Sequence, residues 1–197
     1  MTDPVALPEP LADRPESWPV ASSVDLLRDD WVIALRRDTI ARPGHAGRFA
    51  RLVLEHPGAV MVLALDDDDR VPVLRQYRHP AQMRFVELPA GLCDEDQEDP
   101  LAAAQRELRE EAQLRATHWE HLLTTYPSPG FSSERMHIFL ATGLTGDDRG
   151  DFALEHEEAD MTLSWVPFED LLAAVLDGSV ADGPLGSAVM AYALRRR

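Results

Sequence analysis

Read from the N-terminus, the apolar positions first recur with a strand-like spacing in two runs, Trp31 to Ile40 and Phe49 to Leu54, separated by the turn-forming Arg42-Pro43-Gly44-His45. These predict strands of a small N-terminal antiparallel sheet. His56-Pro57-Gly58 then marks the strongest boundary in the chain. Ala59 to Leu65 is an uninterrupted apolar run suited to a buried strand, Asp66 to Arg70 a charged turn, and Val71 to Tyr77 its expected hairpin partner. Phe85 to Pro89 predicts another short strand. From Leu101 the period changes: Asp99 is suited to an N-cap, Pro100 to the first helical position, and strong helix formers continue to Ala112. At about 100° per residue Leu101, Ala104, Leu108 and Ala112 fall on one stripe, the face that should pack. His118 to Tyr126, Met136 to Thr142 and Met161 to Val166 predict three more strands. Pro167 to Leu176 predicts a helix stopped by Gly178, and Pro184 to Leu194 a second, closed by Arg195, Arg196 and Arg197 where cations favour the helix dipole. The order predicts an α/β fold with a mixed sheet and flanking helices. The expected division is a proline-rich, poorly ordered tail over 1–20, an N-terminal β region over 21–57, and the main domain over 58–197.

Composition narrows the class of protein. A chain of 197 residues with 45% hydrophobic content is long enough to bury a full core. No apolar run reaches spanning length, and the first twenty residues carry Asp3, Pro4, Pro8, Glu9 and Pro10 in place of a basic segment followed by an apolar one, so a soluble, cytoplasmic protein is expected. The formal charge of −16 argues against nucleic acid or an anionic membrane as partner. Cys93 is the single cysteine, which excludes an internal disulfide framework and has no special claim as a nucleophile.

The chemistry sits beside the packing stripe of the central helix. Glu107, Glu110 and Glu111 share an adjoining sector about 100° wide. A solvated, salt-bridged surface would account for them, with Arg106–Glu110 and Glu111–Arg115 as i,i+4 pairs. Against that reading stands the like-charge cost of Glu107 opposite both Glu110 and Glu111. A divalent cation would remove it, and Mg²⁺ takes a few carboxylates together with substrate phosphates. Arg75, Arg78 and Arg84, just upstream, could offset phosphate charge on an otherwise acidic protein. The four aspartates from Asp66 to Asp69 lack the spacing of a calcium loop and are expected to form a solvated turn.

These residues resemble the Nudix hydrolases, whose box reads Gly, five residues, Glu, seven residues, then Arg-Glu-apolar-x-Glu-Glu-x-Gly-apolar. Glu98, Arg106-Glu107-Leu108-Arg109-Glu110-Glu111 and Leu114 match in register, with six residues between Gly91 and Glu98 and Gln113 in place of the second glycine, where a left-handed C-cap favours Gly. Gln76-Tyr77-Arg78, Glu87-Leu88-Pro89-Ala90-Gly91 and the loop Tyr126-Pro127-Ser128-Pro129-Gly130-Phe131-Ser132-Ser133-Glu134, with Pro129 fifteen residues beyond Leu114, are similar to the ADP-ribose pyrophosphatase branch.

The resemblance implies a Nudix α/β/α sandwich and metal-dependent hydrolysis of ADP-ribose to AMP and ribose 5-phosphate. It implies Mg²⁺, or Mn²⁺, held by Glu107, Glu110, Glu111 and the Ala90 carbonyl, with Arg106 orienting the acids. Arg78, Glu87, Pro129 and Glu134 would meet the substrate. A catalytic glutamate is implied on the acidic loop before the last strand, where either Glu157 or Glu158 is the candidate and His156 is secondary. The branch also implies a homodimer in which the N-terminal region helps to build the partner's nucleobase pocket, and Trp31, Ile33, Leu35 and Ile40 supply apolar surface for such packing. Another nucleoside diphosphate derivative as substrate, or a non-catalytic nucleotide sensor, are the alternatives.

Overall fold

The computed structural model describes residues 11–29, 33–93, 98–148, 150 and 160–196. Three antiparallel strands come first: β1 (Val20–Leu27), β2 (Ala34–Ala41) and β3 (Arg48–Glu55), in the order β1-β2-β3. β2 and β3 correspond to the two expected runs. β1 was not anticipated, because Ser22, Ser23 and Asp25 interrupt its apolar positions and every residue in it is exposed. Trp31 lies outside the described residues. Of the expected tail, 1–10 also lies outside them, while Trp18 packs edge-on against Phe49 and the Pro19 carbonyl accepts from the Ala41 N–H at 3.0 Å.

The body of the molecule is built around β4 (Ala59–Ala64), which is buried along its whole length. β4 stands between β7 (Ala90–Leu92), antiparallel to it, and β9 (Met136–Gly146), parallel to it, and β8 (Leu114–Thr125) completes the sheet antiparallel to β9. Alternation along β4 assigns its two faces. Val60, Val62 and Ala64 pack with Ala103, Ala104, Leu108 and Ala112 of helix α1 (Pro100–Ala112). Met61, Leu63 and Leu65 pack with Phe168 and Leu171 of α2 (Phe168–Leu176) and with Leu185, Ala188 and Val189 of α3 (Gly183–Arg195). Helices thus cover both faces of a mixed sheet, the expected sandwich. Fully burying one such Leu or Val contributes about 1.5–3 kcal/mol, so the two clusters dominate the stability of this body.

The expected hairpin is corrected. β5 (Arg70–Arg78) leaves the turn after β4 and joins a second antiparallel sheet, between β10 (Thr162–Pro167) and β6 (Met83–Glu87). The turn itself forms, with Asp66 accepting from the Arg70 N–H and Asp69 at φ 58°. It hands the chain to another sheet because both edges of β4 are taken by β7 and β9. A 3-10 turn over His79–Ala81 links β5 to β6. Arg195 and Arg196 reach across to other elements, Arg195 to Glu120 and Arg196 to Asp69, each at 2.7 Å. Among the described residues no helix is long and apolar enough to cross a membrane.

The N-terminal sheet is fastened to this body by the loop before β9. Leu54 donates to the Phe131 carbonyl at 2.7 Å, and Ser133 donates back to Leu54 at 3.0 Å. That places the end of β3 beside the Tyr126–Glu134 segment.

Candidate active site

α1 forms where its signals predicted. Asp99 has extended backbone and Pro100 opens the helix, although the Asp99 side chain makes no capping hydrogen bond. The helix ends at Gln113, which adopts the left-handed conformation (φ 56°, ψ 44°) that the missing glycine would have favoured. With the apolar stripe fixed on the sheet, the acidic sector turns toward β7. Glu107, Glu110 and Glu111 are only 7%, 7% and 6% exposed. A solvated surface does not account for acids this buried.

Backbone and guanidinium contacts hold them. Glu111 accepts from the Ala90 N–H at 2.8 Å. Arg106 bonds Glu107 at 2.6 Å, Glu110 at 3.3 Å and Glu98 at 3.2 Å, and also donates to the Leu92 carbonyl at 3.2 Å. Burial works against the Arg106 cation, but the hydrogen bond to Glu98 and the charges of Glu107, Glu98 and Glu110 outweigh it and raise its pKa, so it stays charged. The expected Arg106–Glu110 pair is therefore present, whereas Arg115 pairs with Asp147 in place of Glu111. Arg115 lies in β8, beyond the left-handed turn at Gln113, and no longer follows the helical spacing.

Gly91 explains how Glu107 can lie so close to β7. A Cβ at Gly91 would sit 2.0 Å from Glu107 Oε1 and 2.1 Å from its Cδ, so the carboxylate rests where a side chain would otherwise be. This cradle, the all-oxygen donor set of Glu107, Glu110, Glu111 and the nearby Ala90 carbonyl, and their burial fit a hard cation in chemical type. Among the described residues, no three His, Cys, Asp or Glu groups are already gathered as they would be around an ion.

A second group adjoins the first. Arg78 of β5 forms a two-pronged pair with Glu87 of β6, at 2.9 and 2.6 Å, and Glu87 is 5% exposed. The hydrogen bond to Glu87 raises the Arg78 pKa against the opposing effect of burial, and Glu111 and Asp182 add to the rise through their charge. Asp182 caps α3, accepting from the Leu185 N–H at 2.8 Å. Burial raises its pKa, the Leu185 bond and Arg78 counter this, and the charges of Glu87 and Glu134 add to it. Arg78, Glu87, Glu111, Glu134 and Asp182 are thus electrostatic neighbours.

Of the expected residues, the fold brings together Glu107, Glu110, Glu111, Ala90, Arg78 and Glu87, with Glu134 within electrostatic reach of Asp182. Pro129 is exposed in the turn before β9. Glu157, Glu158 and His156 lie outside the described residues. Arg84 is drawn away to Asp160. Sequence reasoning missed Asp182, although Asp182-Gly183-Pro184 carries the cap-then-proline signal of a helix start.

Comparison with known proteins shows the chain's relatives. The model of the NUDIX domain matches residues 55–184. The chain is 42% identical over 169 residues, 86% of its own length and 80% of the relative's, to the ADP-ribose pyrophosphatase of Mycobacterium tuberculosis. It is 34% identical over 131 residues, 66% of its length and 69% of the relative's, to the methanol dehydrogenase activator of Bacillus methanolicus. Its fold is similar to that of a solved ADP compounds hydrolase, with a TM-score of 0.73 at 20% identity, covering 92% of this chain and 95% of that one.

Proposed function

This chain belongs to the Nudix family of hydrolases, and on that premise we propose that it cleaves the diphosphate bond of ADP-ribose to give AMP and ribose 5-phosphate. The observation that carries the chemistry is the buried carboxylate face of α1 resting on the Gly91 backbone. The choice of substrate rests on similarity to an ADP-ribose pyrophosphatase along most of the chain.

In this reading Glu107, Glu110, Glu111 and the Ala90 carbonyl hold a divalent cation, Mg²⁺ or Mn²⁺, which when bound polarises phosphoryl oxygens and lowers the pKa of water. Arg106 orients Glu107 and Glu110 by charge-assisted hydrogen bonds. Arg78, braced by Glu87, meets phosphate or nucleobase, Pro129 shapes the loop, and Glu134 accepts from ribose hydroxyls. Glu157 or Glu158 accepts a proton from the attacking water. The test is a panel of nucleoside diphosphate compounds incubated with Mg²⁺ and scored for phosphate-containing products. AMP should appear fastest from ADP-ribose, and Glu110→Gln should lower turnover by about 10²-fold or more with the fold unchanged. Faster cleavage of another compound would move the substrate, and binding without cleavage would favour a sensor.

The same reading includes a homodimer, built through the N-terminal sheet. Val20, Val24, Leu26 and Leu27 of β1 and Leu52 of β3 are all exposed, more apolar surface than an isolated sheet of this size leaves to water. Removing residues 1–56 is expected to give an unstable or inactive chain, as judged by sedimentation and turnover. A fully active monomer over 57–197 would refute the assembly. A cytoplasmic location belongs to this proposal as well.

A further inference from the structure

The opposite flank of α1 holds a different kind of site. Gln105, Arg106 and Arg109 of α1, with Arg115, Ala116 and Trp119 of β8, line a cavity of about 520 Å³. At 100° per residue Gln105 and Arg109 lie across the packing stripe from Glu107 and Glu111, so the cavity opens away from the carboxylate face. Only Arg106 borders both.

Three guanidiniums around one hollow are costly by mutual repulsion, and this chain has few cations to spend, with 19 Lys and Arg against 35 Asp and Glu. Two of them are anchored by acids, Arg106 by Glu98, Glu107 and Glu110, and Arg115 by Asp147. Arg109 is placed differently. Among the described residues its nearest ion-pair contact is Glu110 at 4.0 Å, its charge also acts on Asp147, and its buried Nε bonds to nothing. With no closer acid partner among the described residues and a side chain 40% exposed, the Arg109 guanidinium is available to an anion entering the cavity. The cavity wall is aromatic as well as cationic. The Trp119 indole is held by its N–H to the Ala116 carbonyl at 3.1 Å and edge-on against Phe139 at 6.5 Å, which fixes the ring as a rigid apolar surface. The volume falls within the usual range of small-molecule sites.

We propose that this cavity binds a nucleoside monophosphate, its phosphate on Arg109 and Arg115 and its base against Trp119. Guanidinium forks match phosphate oxygens, and a fixed indole offers a stacking surface that inorganic phosphate cannot use. The site is separate from the carboxylate face, and binding there does not depend on which diphosphate the enzyme cleaves.

The experiment is calorimetric titration of the full chain, without added metal, with AMP and separately with inorganic phosphate. Arg109→Gln and Arg115→Gln should each weaken AMP binding about tenfold or more, the loss of one charge-assisted hydrogen bond. Trp119→Leu should weaken AMP and leave phosphate unchanged. Arg115, whose side chain is 67% exposed, can be replaced without endangering the fold. The proposal is overturned if the wild-type chain binds no AMP at millimolar concentration, if both arginine variants bind it as the wild type does, or if phosphate binds as tightly as AMP.

Discussion

Replacing Gly91 by Ala tests whether the Glu107 carboxylate is positioned for chemistry. The new Cβ would stand 2.0 Å from Glu107 Oε1, and an ordinary contact begins near 3.4 Å, so the pair must separate by about 1.4 Å. The backbone at Gly91 is pinned by its pairing with Val60 in the sheet, while the carboxylate is the far end of a flexible side chain, so the glutamate yields. The stability cost is the weakening of the Arg106–Glu107 contact, about 1 kcal/mol for a part-buried charged hydrogen bond. The functional cost is far larger if Glu107 holds the metal, because a misplacement of this size costs about 10²-fold in rate. Steady-state turnover of ADP-ribose with Mg²⁺, alongside thermal unfolding, separates the two effects. A Gly91→Ala enzyme within about threefold of wild-type kcat would refute the reasoning. A double-mutant cycle sharpens the test: after Glu107→Gln, adding Gly91→Ala should cost little more, and fully additive losses would show that Gly91 acts by another route.

Two further outcomes follow from local conformation and charge. Gln113 holds φ 56°, so Gln113→Gly should raise stability by about 1 kcal/mol, and an unchanged unfolding midpoint would show that its side-chain contacts compensate. Because burial raises the Asp182 pKa in the folded chain, the native state binds its proton more tightly than the unfolded state, and stability falls as pH rises from the ordinary value of 3.8 through the raised one. Asp182→Asn keeps an acceptor for the Leu185 N–H and removes the charge, so its unfolding temperature should exceed wild type at pH 7 and converge with it near pH 3. An equal difference at both pH values would contradict the charge argument.

How much of this was legible depends on whether the cause was local. α1 was legible to the residue because Asp99, Pro100 and the stripe from Leu101 to Ala112 act within the helix, and once the stripe packs, the facing of Glu107, Glu110 and Glu111 is fixed. The left-handed conformation of Gln113 was suggested only by its place at the second glycine of the box, since a glutamine has no local preference for it. The Val71–Tyr77 strand was found and its partner was not. A tight turn such as Asp66 to Arg70 is equally compatible with a hairpin and with a step between sheets, and the choice is made by β7 and β9, which come later in the chain. β1 was illegible because it buries nothing within the described chain and so carries no alternation. The Arg78–Glu87 pair and its neighbour Asp182 meet through pairing of β5 with β6 and the docking of α3, contacts that no spacing along the sequence encodes.

The remaining question is how a chain of charge −16 can attract a diphosphate. Net charge governs approach from a distance, beyond about 8 Å at physiological salt, whereas binding is decided by the groups within that radius. Beside the carboxylate face of α1 those groups are guanidiniums already engaged by acids: Arg106 by Glu98, Glu107 and Glu110, and Arg78 by Glu87. The Arg78–Glu87 pair is close to neutral, whereas Arg106 against three carboxylates leaves a formal charge of about −2, so these groups create no attraction for an anion by themselves. Arg78 keeps a 47% exposed side chain and can present its outer edge while Glu87 grips the inner one. Among the described residues of this face one half-exposed arginine does not balance a diphosphate bearing about two charges, so on the proposed function a divalent ion arriving with the substrate would supply the rest of the positive charge. The acids of α1 would then serve to capture that ion, and binding of metal and diphosphate should be mutually dependent, each tightening the other.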